Sequence, residues 1–298
     1  MLPSKTISRL SISIRQQRLP NPRQVISNLH SRKITHFKYT TYNTPYKMTK
    51  YELLYWPGMP GRGEYVRLAL EAAGVPYRDI SNESKGGVSK LVEVISRGTV
   101  LAADESPALC PPILRVTGSP ILLSQTPNIL LYLGDHEGLA PTDDSKYLVH
   151  QYALTALDLC NEAHNVHHPV GVGLYYEDQK PEALRFAKEF RGTRISKFFG
   201  FFDKAIKYNK SNHSGSKFLV GDKLTYADTT VWQVVDGVSH AFPTKVKELR
   251  DGSGFEQLFA WYDALKEEEW LKKYLESERR LPYALGIFRH YPELDVEQ

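Results

Sequence analysis

The stretch YELLYWPGMPGRGEYVRLALEAAGVPY, residues 51 to 77, constrains the fold more than any other part of the chain. Tyr51, Leu53 and Tyr55 alternate as one face of a strand does, and Tyr65, Leu68, Ala69 and Ala72 recur at helical spacing. Gly74 supplies a stop, and Pro76 forces an extended restart. The reading is strand, proline-containing turn, helix and second strand. A strand that runs into a helix N-terminus aims free backbone N–H groups and the positive helix end at one point, which suits an anion, a thiolate included. Tyr55 adds a hydroxyl donor there.

Beyond residue 80 the KLVEVI core predicts a short helix, and ILRV (113–116) and ILL (121–123) predict an antiparallel pair across a Thr-Gly-Ser-Pro spacer. The helix NILLYLG follows and ends at Gly134. GDHEGLAPTDD then reads as a joint, after which strand signals stop. Helices are expected over 146–166, 181–207, 226–240, 255–266 and 270–277, with Phe198, Phe199, Phe201 and Phe202 filling a helical core. In LTYAD, Thr225 caps a helix and Asp228 reaches back to it. The fold class is therefore an α/β first domain (50–136) followed by an all-α second domain (144–298).

With 298 residues, 41% apolar and 24% charged, the chain has material for two cores. No run of eighteen apolar residues exists, so no membrane span is expected. Cys110 and Cys160 are too few for a disulfide framework, which points to a reducing compartment. The formal charge of +4 hides an asymmetry: residues 1–47 carry nine Lys and Arg and no acid, so subtracting them leaves −5 on the rest. A body of that sign is not expected to seek nucleic acid or an anionic membrane. The acid-free segment 1–47 places Ile7, Leu10 and Ile14 on one helical face and Lys5 and Arg9 roughly opposite. That pattern fits a mitochondrial presequence; the alternatives are a disordered extension or a protein that starts at Met48 and stays cytoplasmic.

These motifs, in this order, resemble the soluble glutathione S-transferases over nearly all of residues 50–298. The tyrosine followed by an aromatic and a proline, with Gly61 and Arg62 opening the helix, is similar to the tyrosine-type classes, and the RRLPYALGIFRHYPELD tail looks most like a fungal-type branch. The resemblance implies a thioredoxin-like first domain in which Pro112 is the cis-proline. It implies Gln125 and Thr126 holding the γ-glutamyl end of glutathione, and Asp158 reaching that end in a neighbouring subunit, hence a homodimer. It implies glutathione as co-substrate, no other cofactor, and a small hydrophobic electrophile as partner, walled by Met59, Tyr152 and the Tyr175–Tyr176 pair, with the tail from Tyr283 to Tyr291 folding over the site.

The chemistry can be stated independently. A thiol like glutathione's has a pKa of about 8.5, so a site must favour the thiolate, and each tenfold gain in the ratio of thiolate to thiol requires about 1.4 kcal/mol. A phenol donating to sulfur beside a helix N-terminus can supply that, and Tyr55 is the expected donor. Arg62 orients Tyr55 or meets the glycyl carboxylate, the alternative being a structural ion pair. Thr126 before Pro127 is also a sound cap pair without any ligand. One departure is Pro111: the family's residue before the cis-proline gives an N–H to the tripeptide, and proline has none. This leaves two rivals to a transferase, a non-catalytic binding protein and a glutathione-dependent isomerase. Three signals are set aside. His164, His167 and His168 stand at i, i+3 and i+4 without an acidic or thiol neighbour, GMPGRG fits no nucleotide loop, and Cys110 is not at the strand-to-helix turn where a redox nucleophile sits.

Overall fold

The structure is a computed structural model that describes residues 49–96, 106–120 and 122–296. The readings made for residues 1–47 and for Ile121 lie outside the described residues.

The opening segment folds as its pattern dictates. Strand β1 (Tyr51–Leu54) runs into helix α1 (Gly63–Ala72), and β2 (Tyr77–Asp79) returns parallel to β1. Two short helices follow, α2 (Ile80–Glu83) and α3 (Gly87–Ser96). Then come β3 (Ile113–Val116), β4 (Leu122–Ser124) and helix α4 (Thr126–Glu137). The sheet order is β2-β1-β3-β4, with β3 antiparallel to both β1 and β4. Successive side chains leave a strand on opposite faces. Tyr51, Leu53, Leu114 and Val116 accordingly enter the large core shared with α1 and α4, whereas Leu54, Ile113 and Leu122 pack on Ile80, Leu91 and Val94 in a smaller core.

Helix α4 does not stop at Gly134. It continues to Glu137 and ends at Gly138, whose φ of +74° is the left-handed conformation that favours glycine at a helix end. Gly134 serves packing instead: a Cβ there would lie 2.6 Å from the Tyr226 ring.

The remainder is helical: α5 (Lys146–Val166), α6 (Lys180–Glu189), α7 (Ile195–Asn212), α8 (Tyr226–Ala241), α9 (Pro243–Asp251), α10 (Glu256–Lys266) and α11 (Glu269–Leu275). A single π-turn, Phe190–Arg194, joins α6 to α7, so the span expected as one helix over 181–207 is an interrupted rod that reaches Asn212. Helix α9 was not expected: it is short and mostly charged, and its N-terminus is capped by Asp295, which accepts from the N–H groups of Thr244 (2.7 Å) and Lys245 (3.2 Å). The LTYAD box forms as read. Asp228, fully buried, accepts from the Thr225 N–H (2.9 Å), the Thr225 hydroxyl (2.8 Å) and the Leu219 N–H (2.7 Å).

A buried ionic cluster ties α1 to the helices. Glu64, fully buried, accepts from Arg67 (3.0 Å), Arg280 (2.5 Å) and the Tyr274 hydroxyl (2.6 Å). Arg67 also donates to Asp79 (2.7 Å), and Arg280 to Asp236 (2.9 Å). Burial alone would raise the Glu64 pKa, but the guanidiniums of Arg280 and Arg67 outweigh it and hold the carboxyl below its ordinary value.

Candidate active site

The turn between β1 and α1 is built around Tyr55. Its ring fits beneath the turn because residues 61 and 63 lack side chains: a Cβ on Gly61 would stand 2.2 Å from the phenol oxygen, and one on Gly63 2.7 Å from the ring. Gly61 also has φ +48°, which favours glycine on backbone grounds. The phenol oxygen accepts the Arg62 N–H at 2.8 Å. Burial pushes the Tyr55 pKa above its ordinary value, against the opposing effects of that bond and of Arg67 and Arg62, so the hydroxyl keeps its proton at neutral pH.

A cleft of about 350 Å³ lies beside this turn, within the range of about 300–1,000 Å³ common to small-molecule sites. It is lined by Cys110, Pro111 and Pro112 with Gln125, Thr126 and Pro127, by Leu154, Leu157, Asp158 and Asn161 of α5, and by Arg62. The bond between Pro111 and Pro112 is cis. The structure thus brings together Arg62, Pro111, Pro112, Gln125, Thr126 and Asp158. Tyr55, 6% exposed and bonded to the Arg62 backbone, is not among the residues that line the cleft.

Two features mark the cleft as made for a ligand. Gln125 has φ +71° and ψ +118°, a backbone conformation that costs a non-glycine residue of order 1–3 kcal/mol and that clusters at ligand clamps. Thr126 is 3% exposed, and its hydroxyl has no hydrogen-bond partner in the protein. A buried unpaired hydroxyl costs about 1–3 kcal/mol, which a ligand acceptor would recover. The Thr126 hydroxyl therefore does not act as the cap that its place before Pro127 suggested. The Arg62 guanidinium donates to Asn161 (2.6 Å) and to the Cys160 sulfur (3.9 Å), and no carboxylate among the described residues neutralises it. Its alternative as a structural ion pair is not realised.

Asp158 lines the cleft of its own chain. Two expectations are corrected. Tyr152 is 6% exposed with its ring edge-on to Phe201 (5.8 Å), and Tyr176 is 3% exposed and stacked on Tyr291 (3.9 Å), so both belong to the core because aromatic partners cover them. Sequence reading also missed Asn161, although Leu154, Leu157, Asp158 and Asn161 recur at the spacing of one helical face, and it set aside Cys110, which opens into the cleft.

The tail lies across the turn as expected: a Cβ on Gly286 would meet Gly61 at 3.8 Å and the Met59 sulfur at 3.9 Å. Tyr283 donates to Asp236 (2.6 Å), and Phe288 packs on Gly237. His167 Nε2–H donates to the Ile287 carbonyl (2.8 Å) while its buried Nδ1 stays unpaired. The His164, His167 and His168 rings pack on one another at centroid separations of 5.1, 4.9 and 4.8 Å. Burial first, then the neighbouring Arg289 and imidazoles, drives His167 from 6.5 to about 3. Burial, His168, Arg62 and Arg289 drive His164 to about 4. Below pH 6.5 the unfolded chain takes up protons that these folded imidazoles refuse, so stability falls as pH drops toward about 3, at about 1.4 kcal/mol per pH unit for one group. The urea midpoint of His167→Gln is expected to depend less steeply on pH than that of the wild type between about pH 6.5 and 4; equal slopes would exclude His167 as a source.

Comparison with known proteins supplies the rest. A family model described as the glutathione S-transferase C-terminal domain matches residues 164–278. Glutathione S-transferase A4 of Bos taurus is 28% identical over 232 residues, which cover 77% of this chain and 90% of that protein. Its Homo sapiens counterpart is 28% identical over 191 residues, covering 64% and 75%. Over about three quarters of its length the chain is similar to glutathione S-transferases. Its fold is also that of a monomeric glutathione S-transferase from the hookworm Necator americanus, at TM-score 0.54 and 24% identity over 79% of this chain and 98% of the other. As a glutathione S-transferase fold, the chain carries a small mixed sheet with helices, thioredoxin-like, ahead of a helical portion. No helix among the described residues is long and apolar enough to cross a membrane.

Proposed function

We propose that this chain is a glutathione transferase that joins the sulfur of glutathione to a small hydrophobic electrophile. The observation that carries the reading is the buried, unpartnered Thr126 hydroxyl beside the strained Gln125, in a cleft lined by one cation, Arg62, and one carboxylate, Asp158. Gln125 and Thr126 hold the γ-glutamyl carboxylate, Asp158 its ammonium, and the Pro111 carbonyl the cysteinyl N–H. The Tyr55 hydroxyl, its oxygen already polarised by the Arg62 N–H, donates to the thiolate. Gly286 lies close to Gly61, and Gly61 close to the phenol, so the tail stands near that hydroxyl. No cofactor beyond glutathione is invoked.

Within the family we read the chain as tyrosine-type, pi- or sigma-like and of a fungal-type branch, since no Cys or Ser stands between Tyr55 and Gly63. We read it as a detoxifying homodimer whose exposed Tyr147 and Leu154 on α5 and Leu131 on α4 offer apolar contact area. Residues 1–47 direct it to mitochondria when translated; otherwise it stays cytoplasmic.

Pro111 favours one alternative, a binding protein without turnover, because a recognition donor is missing. Calorimetric titration with S-methylglutathione and conjugation of glutathione to a chlorodinitrobenzene separate the two. The transferase reading expects both binding and turnover, with Thr126→Val weakening S-methylglutathione affinity about tenfold while the melting temperature holds or rises, since valine removes an unpaired buried hydroxyl. Binding without turnover selects the alternative, and unchanged affinity in Thr126→Val removes Thr126 from the site.

A further inference from the structure

We infer that Cys110 is a site of covalent modification by the disulfide form of glutathione, which would leave a glutathionyl group tethered in the cleft. The inference rests on the glutathione reading above. Cys110 is an exposed free thiol that lines the cleft, immediately before the Pro111–Pro112 pair. Thr126 lines the same cleft, its hydroxyl more than nine-tenths buried and without a partner, so a ligand group that satisfies Thr126 occupies the space Cys110 borders. Cys160, the other thiol, is fully buried in α5 and provides an internal control.

The chemistry is thiol–disulfide exchange. Cys110 loses its proton to solvent, and its thiolate attacks the sulfur of the half-molecule whose γ-glutamyl arm is held by Gln125 and Thr126. A bond forms between Cys110 and that sulfur, the original disulfide bond breaks, and the other half leaves as a thiolate that takes up a proton. Cys110 is oxidised, the departing half is reduced to glutathione, and no further oxidant is needed. Because the held arm turns a bimolecular attack into a local one, the reaction is faster than with a disulfide lacking the arm. The adduct occupies the cleft, so reduced and oxidised glutathione compete for one space and the modified protein is reversibly closed to substrate.

The test uses the full chain. Intact-mass and peptide mapping after exposure to glutathione disulfide should locate one glutathionyl group on Cys110 and none on Cys160, forming more than about tenfold faster than the adduct from hydroxyethyl disulfide. Cys110→Ser should form no adduct. S-methylglutathione, which fills the cleft without a free thiol, should suppress modification of the wild type. If S-methylglutathione binds by calorimetry yet leaves the rate unchanged, or if the two disulfides react alike, Cys110 is an ordinary surface thiol and this inference fails while the glutathione reading stands. If S-methylglutathione does not bind at all, the glutathione reading fails and takes this inference with it.

Discussion

Replacing Glu64 by alanine is expected to cost about 3–5 kcal/mol of stability, the loss typical of breaking a buried ion pair from one side. Arg67 and Arg280 would then sit buried with one carboxylate partner each, Asp79 and Asp236, and the Tyr274 hydroxyl would keep only the long bond to the Arg279 carbonyl (3.5 Å). Total stability of a folded protein is about 5–15 kcal/mol, so this one change removes a large share. Glu64→Gln keeps the shape and an acceptor for Tyr274 and should cost less. The surface pair Lys247–Asp251 is the contrast: with both side chains well exposed, breaking it should cost at most about 1 kcal/mol. Urea denaturation of the three variants checks the order, and a Glu64→Ala loss no larger than that of the surface pair would mean that the cluster is electrostatically neutral in its effect.

Replacing Tyr55 by phenylalanine is expected to lower kcat about 10²-fold, the scale for losing one preorganised donor to a developing or held anion. The ring would still fill the space beneath Gly61 and Gly63, so the fold should persist, with about 1 kcal/mol lost because the Arg62 N–H no longer has its acceptor. The distinguishing signature lies in pH. If the phenol stabilises the thiolate, the ultraviolet thiolate signal of bound glutathione in Tyr55→Phe should titrate closer to the free value of about 8.5 than it does in the wild type. An unchanged titration and unchanged kcat would remove Tyr55 from the chemistry and leave the helix N-terminus and Arg62 as the stabilising groups.

The first half of the chain was legible because its signals are local. Alternation in β1, the apolar spacing of α1, Pro76 and the hairpin spacer each specify their own neighbourhood, and the LTYAD box needs only four residues to form. Gln125 and Thr126 could be singled out from sequence, although the strain at one and the missing partner of the other emerge only in three dimensions. What sequence did not reveal depends on partners far along the chain. Helix α9 has a weak apolar pattern and takes its cap from Asp295. Gly134 looks like a stop until the Tyr226 ring occupies the space above it. Tyr152 and Tyr176 look like pocket aromatics until Phe201 and Tyr291 cover them. Tyr55 lies off the cleft wall against Gly61 and Gly63, and the tail residue that comes near this turn, Gly286, is more than two hundred positions away.

Helix α1 has eight of its ten residues buried, from Gly63 to Leu70, because the sheet packs on one side of it and α8 and α11 on the other. A helix with no free flank cannot act as a hinge, since swinging the sheet away from the helices would strip one of its sides and expose Glu64 and Arg67 to water. Breathing of the whole body is therefore a poor route for small molecules to reach the phenol. What borders the turn instead is the short stretch around Gly286, close to Gly61 and Met59 and three residues beyond Tyr283, the last tail residue bonded to Asp236.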